Sequence, residues 1–362
     1  MKQEPLNRLT VMVTDDCNLN CKGCVTDAQN GKQGKRTINP FFVQKVFHEY
    51  GENFRDRQTG LLYLFFSGRG EPTLRMDVIE EIHKTAREIF SLENLYVGLQ
   101  TNGVFDDKNA RRISEISDVV WMSVDGAPQE NDKIRKYGTL LQASIGKGGS
   151  SEQITRNTRT LQENGIDVRW RSTIHETNVN KQRELIDYAL SLDIKTIVAE
   201  PAIISPSVSQ NGLLYLVSPG KFIDRFIDAN NHAKQLGISY TTGLMEEARK
   251  IADPCARRCK ECFAIDIERT LPKSATLTTD NRMVGCYLGY EDNLKMKSLT
   301  FGRMEGNNLV IDYDKLEQLT KAYREQKGCH GRELTGRAEV SQELLKRLFN
   351  ESKFPENNWN HP

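Results

Sequence analysis

Cys17-Asn-Leu-Asn-Cys21-Lys-Gly-Cys24 sets three thiols in one short run near the start of the chain. A triplet at this spacing is a metal-ligand pattern. A four-iron cubane takes one cysteine per iron, so three close ligands without a nearby fourth leave one iron open to a chelating substrate or cofactor. A zinc ion would need a fourth Cys or His at short range. Between Asp15 and Thr37 there are only the hard carboxylates Asp15, Asp16 and Asp27, which suit a thiolate site less well. The spacing favours iron–sulfur and leaves zinc as the alternative.

A second group lies far downstream: Cys255-Ala-Arg-Arg-Cys259-Lys-Glu-Cys262, then Cys286, and Cys329 beside His330. Cys255, Cys259, Cys262 and Cys286 suffice to close a second four-iron cluster, and four cysteines are also what a zinc ribbon uses. Arg257, Arg258 and Lys260 would offset the negative charge of a thiolate-ligated cluster, unless they are simply a solvated basic face. Cys329 is then left over, as a ligand in place of Cys255, as a buried thiol, or as a reactive group. His175, His232 and His330 have no partner spacing and read as structural or surface residues. The chain has 8 cysteines, none between residues 25 and 254, in a length of 362 with no export signal at its start. That usage fits metal ligation in a reducing compartment rather than a disulfide scaffold.

Lys plus Arg number 50 and Asp plus Glu 49, a net charge of +1. A balanced chain lacks the electrostatic footprint of tight nucleic-acid or anionic-membrane binding, and no apolar run approaches membrane-spanning length. A soluble, cytoplasmic protein is expected.

The elements that must hold these cysteines follow a repeated strand–helix rhythm. Strands are predicted at Leu9–Thr14, Leu61–Phe66, Leu95–Gln100, Val119–Ser123, Asp167–Thr173 and Lys195–Glu200. Helices are predicted at Pro40–Tyr50, where Pro suits the first turn, and along the stripe Val78, Ile79, Ile82, Ala86, Ile89 and Phe90. Further helices are expected near Lys108–Ser117, up to Asn164 with a Gly165 stop, from Lys181, and over Pro219–Leu236. That makes six strand–helix units, with strands reading as continuously apolar runs buried on both faces. Parallel strands with helical crossovers predict an α/β barrel or doubly wound sheet, with chemistry on loops at the carboxyl ends. The rhythm stops near residue 240, giving a large domain over 1–240 and a smaller cysteine-rich one over 241–362. Residues 141–151 read as a mobile loop and 351–362 as a frayed tail.

Polar and glycine signatures recur at those carboxyl ends. Ser67-Gly-Arg-Gly-Glu-Pro-Thr73 follows the second strand, Gln100-Thr-Asn-Gly103 the third, and Trp121-Met-Ser-Val-Asp-Gly126 the fourth; the fifth carries Arg169 and Arg171. Glycines there let the backbone approach a ligand, Glu71 can accept from a cationic amine, and Ser123 and Asp125 can bond hydroxyls. Each alone is also an ordinary strand-to-helix turn. Their serial placement behind the triplet is what carries weight.

Taken together, the triplet, Gly-Arg-Gly-Glu-Pro, Thr-Asn-Gly and Ser-Val-Asp-Gly resemble the radical S-adenosylmethionine (SAM) superfamily. Asn131-Asp-Lys-Ile-Arg135, Leu161…Gly165 and Asn178 resemble its branch with SPASM or twitch extensions, and the stretch before Cys286 resembles the hairpin of those domains. The resemblance implies a partial (β/α)6 TIM barrel with a twitch/SPASM-like C-terminal domain. It implies a [4Fe–4S] cluster on Cys17, Cys21 and Cys24, with SAM bound to the fourth iron. Gly68, Gly70 and Glu71 would match the segment that receives the methionyl amine, alongside Asn102, with Ser123 and Asp125 near the ribose and Arg171 near the SAM carboxylate. One auxiliary [4Fe–4S] cluster is implied on Cys255, Cys259, Cys262 and Cys286, since a full SPASM domain needs more cysteines. Cys329 could then donate a hydrogen atom to a substrate radical. Three positions depart from the common pattern: Arg69 interrupts a Gly-Gly-Glu, Gly23 replaces an aromatic residue, and Asn281 stands where Gly is common.

The implied activity is reductive cleavage of SAM to a 5′-deoxyadenosyl radical that takes hydrogen from a polar metabolite or a peptide, giving oxidation, epimerisation or cross-linking. The implied electron donor is a flavodoxin or ferredoxin. A first strand at residue 9 leaves no room before it for a leader-peptide recognition domain, which shifts weight toward small molecules or a peptide recruited otherwise. Two other classes stand beside this one: a non-catalytic zinc-binding interaction protein, and a SAM-dependent methyltransferase.

Overall fold

The computed structural model describes residues 8–22, 24, 26, 28, 35–56, 59–138, 149–202, 216–243, 275–285 and 300–317. Cys255, Cys259, Cys262, Cys286 and Cys329 lie outside them, as do most of the predicted loop at 141–151 and the tail from 351.

Strands β1 (Arg8–Met12), β3 (Leu62–Ser67), β4 (Leu95–Thr101), β5 (Val119–Ser123), β7 (Asp167–Ile174), β8 (Thr196–Pro201) and β9 (Ser239–Thr241) pair in that order, all parallel. Two short strands, β2 (Leu19–Cys21) and β6 (Arg135–Tyr137), form a separate antiparallel pair. The crossovers carry α1 (Pro40–Tyr50), α2 (Met76–Phe90), α3 (Asp107–Ile116), α4 (Pro128–Ile134), α5 (Ser151–Glu163), α6 (Gln182–Ser191) and α7 (Pro219–Gln235). This is the partial (β/α) barrel expected of strands linked by helical crossovers. The helices begin where chemistry allows: Asn39 Oδ1 accepts from the Phe41 N–H at 3.0 Å and Asp106 Oδ1 from that of Asn109 at 2.8 Å. Gly165, past the end of α5, sits at φ +79°, the left-handed turn that favours glycine.

The apolar faces of the helices and one face of the sheet form a single core. Phe42, Ile79, Ile113, Leu161, Ile186 and Phe222 pack there with Leu64, Val97, Met122, Trp170 and Ile197. The other face of the sheet is the inside of the partial barrel. Both-face burial holds for β3 and for most of β4 but fails further on. In β7 and β8 buried residues alternate with half-buried ones, apart from an exposed Asp167. The reason is that the helix-facing positions of β7 and β8 are apolar apart from Ser172, whereas their inward positions include Arg169, Arg171, Thr173 and Glu200, beside Val198, on the open side.

Past residue 240 the chain returns to the same sheet. Strand β10 (Ala275–Leu277) runs parallel to β1, and β11 (Arg282–Val284), β12 (Thr300–Glu305) and β13 (Asn308–Ile311) extend it antiparallel, for 11 strands in all. Asn281, in the β10–β11 turn, has φ +59°. That conformation explains why glycine suits the position, and Asn is one of the few other residues that adopt it readily.

Candidate metal centre

The loop after β1 carries the cysteine run, and Cys17, Cys21 and Cys24 are all half-buried free thiols. The loop is held from three sides. Asn102, just past β4, donates from Nδ2 to Asn18 Oδ1 at 2.7 Å and toward Cys17 Sγ at 3.9 Å, while its Oδ1 accepts from the Val104 N–H at 2.8 Å. Asn18 in turn donates to the Val104 carbonyl at 2.8 Å. Cys24 Sγ lies 3.2 Å from the Thr26 hydroxyl, which donates to the Arg69 carbonyl at 2.7 Å.

The β3 loop seats directly on the cysteine loop. The Gly70 N–H donates to the Thr14 carbonyl at 3.0 Å and the Glu71 N–H to that of Asp16 at 2.6 Å. A Cβ on Gly70 would stand 1.9 Å from the Asp16 oxygen, and one on Gly68 2.9 Å from the Thr14 oxygen. These glycines therefore allow two backbones to touch. Glu71 is buried, and its carboxylate already has four donors. Oε1 accepts from the Thr73 N–H (3.1 Å), the Thr73 hydroxyl (2.7 Å) and the Thr101 hydroxyl (2.6 Å), and Oε2 from the Asn102 N–H (2.7 Å). Burial pushes the Glu71 carboxyl up, and the Thr101, Asn102 and Thr73 donors pull against it. In this structure Glu71 ties the ends of β3 and β4 together.

Asp125 follows the same pattern after β5. Its Oδ2 accepts from Arg135 Nε at 2.7 Å and its Oδ1 from the Thr173 N–H at 2.8 Å, while Asn131 and Asn178 bond its backbone. Arg135, the last residue of the Asn131–Arg135 run, stands opposite Cys21 in the β2–β6 register and is paired with a buried carboxylate. Burial works against its charge, but Asp125 and the Cys21 thiol lift its guanidinium above the ordinary arginine range. Burial also pushes the Cys21 thiol up to about 12, with Arg135 opposing, and raises that of Cys17 further, aided by the Glu71 charge. Such thiols become thiolates when a metal replaces their protons.

Ser123 and Arg171 lie side by side on the inner face, with Val198 and Thr241 next in register. Arg171 donates from Nη1 to Gln100 Oε1 at 3.2 Å and has no carboxylate partner among the described residues. His175 is buried, with Nδ1 2.8 Å from the Thr177 hydroxyl, and His232 pairs with Asp187 at 2.7 Å, in keeping with structural roles.

Among the described residues, no three His, Cys, Asp or Glu side chains converge on a point where one ion would sit. Residues 11–189 match the radical SAM superfamily. The chain belongs to that superfamily. This radical SAM protein is 26% identical over 280 residues to the Fe-coproporphyrin III synthase of Methanosarcina barkeri, covering 76% of this chain and 56% of that one. Over 99 residues it is 29% identical to a probable GTP 3′,8-cyclase of Pyrococcus abyssi, covering 27% of this chain and 28% of that one. It thus spans little more than half the length of the first of these relatives. Among solved structures, native anSMEcpe with bound AdoMet superposes with a TM-score of 0.67 at 16% identity, covering 95% of this chain and 97% of that one. Streptococcus suis SuiB bound to precursor peptide SuiA gives 0.61 at 12%, covering 93% and 70%. These likenesses establish the partial-barrel fold. No helix among the described residues is long and apolar enough to cross a membrane.

Proposed function

We propose that this radical SAM enzyme cleaves SAM reductively at a [4Fe–4S] cluster on Cys17, Cys21 and Cys24, and abstracts hydrogen from a polar metabolite or a peptide. The observation that carries the reading is the triplet itself: three half-buried thiols that follow the first strand, at the carboxyl edge of the sheet. The donor set fits the cluster, because soft thiols suit iron–sulfur, and the half-buried Arg135, paired with Asp125, stands opposite Cys21. Bound there, the cluster supplies the electron that splits SAM into methionine and a 5′-deoxyadenosyl radical.

The chain's own residues hold the site in place. Asn102 orients the Cys17 end of the loop, Thr26 the Cys24 end, and Arg135 the neighbourhood of Cys21. Glu71 and Asp125 act through these neighbours, since the described protein donors already engage their oxygens. The backbone of Gly68 and Gly70 is the part of that loop left to meet the methionyl group. Ser123 and Arg171, on the inner face, are placed to meet the ribose and a carboxylate. Cys255, Cys259, Cys262 and Cys286 are proposed to bind one auxiliary [4Fe–4S] cluster, with Cys329 as a spare ligand or hydrogen-atom donor, and a flavodoxin or ferredoxin as electron source.

A polar substrate suits the inner face of β7 and β8, where Arg171, Thr173 and Glu200 line the open side. Native anSMEcpe with bound AdoMet and Kp18Cys peptide, a structure of TM-score 0.66, keeps a peptide in view, as does SuiB with its precursor. Oxidation, epimerisation and cross-linking are the reaction classes proposed. The test is anaerobic incubation with SAM and a low-potential reductant, following 5′-deoxyadenosine. Its formation is expected. S-adenosylhomocysteine as the product would replace this reading with methyl transfer, and zinc without labile sulfide would replace it with a binding protein.

A further inference from the structure

The first cysteine loop is not held by the barrel alone. Asp15, two residues before Cys17 and buried, receives the hydroxyl of Thr279, which lies 3.0 Å from both carboxylate oxygens. Thr279 belongs to the β10–β11 turn, 264 residues away in sequence. Arg36 Nε reaches Asp15 Oδ2 at 3.0 Å, and its Nη1 lies 4.0 Å from Asp280 of the same turn. The turn also reaches the other end of this region: Asn281 Oδ1 accepts from the Asn39 N–H at 3.3 Å, at the start of α1.

From Asp15 the connection runs on to the ligand. The Asp15 N–H donates to the Arg36 carbonyl at 2.9 Å, and the Thr14 hydroxyl donates to the same oxygen at 3.0 Å. That hydroxyl accepts from the Asp16 N–H at 3.2 Å, and Asp16 Oδ1 accepts from the Cys17 N–H at 3.0 Å. The Asp16 carbonyl in turn receives the Glu71 N–H. Each link is short and its partners are buried or half-buried, so a shift of the Asp15 carboxylate is passed to the backbone that aims Cys17.

We propose that Thr279 is a positioning residue for the first cluster, so that the C-terminal hairpin sets the attitude of the Cys17 loop. This goes beyond the proposed function and rests on its assignment of the cluster to Cys17, Cys21 and Cys24. The hairpin stands just ahead of Cys286, the nearest of the second cysteine group. The hairpin that precedes Cys286 in the sequence is thus joined to the Cys17 loop most directly through the Thr279–Asp15 contact. Val matches the volume of Thr but cannot donate, whereas Ser keeps the hydroxyl and loses only a methyl.

The test uses the full chain, reconstituted anaerobically, as wild type, Thr279→Val and Thr279→Ser. Circular dichroism checks folding; the readouts are iron and sulfide retained after desalting and the EPR spectrum of the reduced cluster with and without SAM. To keep an auxiliary cluster from masking the signal, a Cys17→Ala sample supplies the background to subtract. We expect Thr279→Val to fold but to lose the first cluster severalfold faster, or to show shifted g-values and a weakened response to SAM, with Thr279→Ser restoring wild-type behaviour. A Thr279→Val protein with wild-type retention and spectra overturns the proposal. Should that variant fail to fold, Thr279→Ala removes the same donor with less added bulk, and wild-type spectra there overturn it equally. Absence of any SAM-responsive cluster in the wild type would instead sink the functional assignment on which it rests.

Discussion

The inner face of the barrel has two halves of opposite character. Across β3, β4 and β5 it is filled by Tyr63, Phe65, Tyr96 and Val119, with Trp121 packed against them. Tyr63 meets Phe65 and Tyr96 edge-on, with ring centroids 5.7 and 5.0 Å apart, and Arg8 covers the Phe65 ring at 4.9 Å. Gly98 makes the room, because a Cβ there would stand 2.7 Å from Phe65 and 2.8 Å from the Tyr63 hydroxyl. Across β7 and β8 the inward positions include Arg169, Arg171, Thr173 and Glu200, with Val198 among them. One half is a packed plug and the other a polar wall, and the cysteine loop follows β1 beside the plugged half. The same sheet thus supplies a rigid floor on one side and room for a ligand on the other. Changes in the plug should cost stability and changes in the wall should cost binding.

The largest effect is expected where the cysteine loop meets the barrel. Gly70→Ala forces a methyl into the Asp16 carbonyl, so the loops cannot both keep their places. SAM cleavage should fall by about a hundredfold or more, as misplacement of a reacting group does, while the far-UV spectrum stays native; near-normal turnover would show that this contact is dispensable. In the plug, Phe65→Ala should cost about 3–5 kcal/mol of unfolding free energy and leave KM for SAM unchanged in protein that remains folded. A selective rise in KM without a loss of stability would blur the distinction between the halves.

A control lies on the helix-facing side. His83 is buried in α2 with an unpartnered Nε2, and burial, with Arg87 nearby, holds it down to about 4. Its folded value is below its unfolded one, so the stabilising preference for neutral imidazole is complete above about pH 6.5 and is lost as pH falls toward about 4. Roughly 2–3 kcal/mol should disappear across that window, and His83→Leu should flatten the dependence in denaturant titrations at several pH values. An unchanged slope in the variant would assign the effect to another group. The smallest effect belongs to the wall: Arg171→Met should raise KM by about tenfold, the scale of one charge-assisted hydrogen bond, with little change in melting temperature. An unaltered KM would remove Arg171 from the binding surface.

Much of the barrel is visible in the sequence because its strands are short apolar runs between amphipathic helices, and predicted and observed strand boundaries differ by at most two residues. The cysteine triplet is equally plain, since its ligands are neighbours in the chain. What escapes sequence reasoning is whatever depends on distant partners. Glu71 and Asp125 read as ligands for a bound molecule, and only the fold reveals the protein donors that also bond them. Arg135 pairs with Cys21 through strands of three residues each, too short to carry a periodic signal. The polar wall is hidden because β7 and β8 still have apolar residues at most alternate positions. The return of β10 to β1 depends on a pairing between segments more than 260 residues apart, as the contact of Thr279 with Asp15 spans 264.

The most direct measurement is 5′-deoxyadenosine formation by anaerobically reconstituted wild type and Cys21→Ala, with SAM and reductant in excess. The account predicts steady formation by the wild type and none by the variant, whose other cysteine group is untouched. Equal formation by both proteins would show that the thiols after β1 are not where SAM is cleaved.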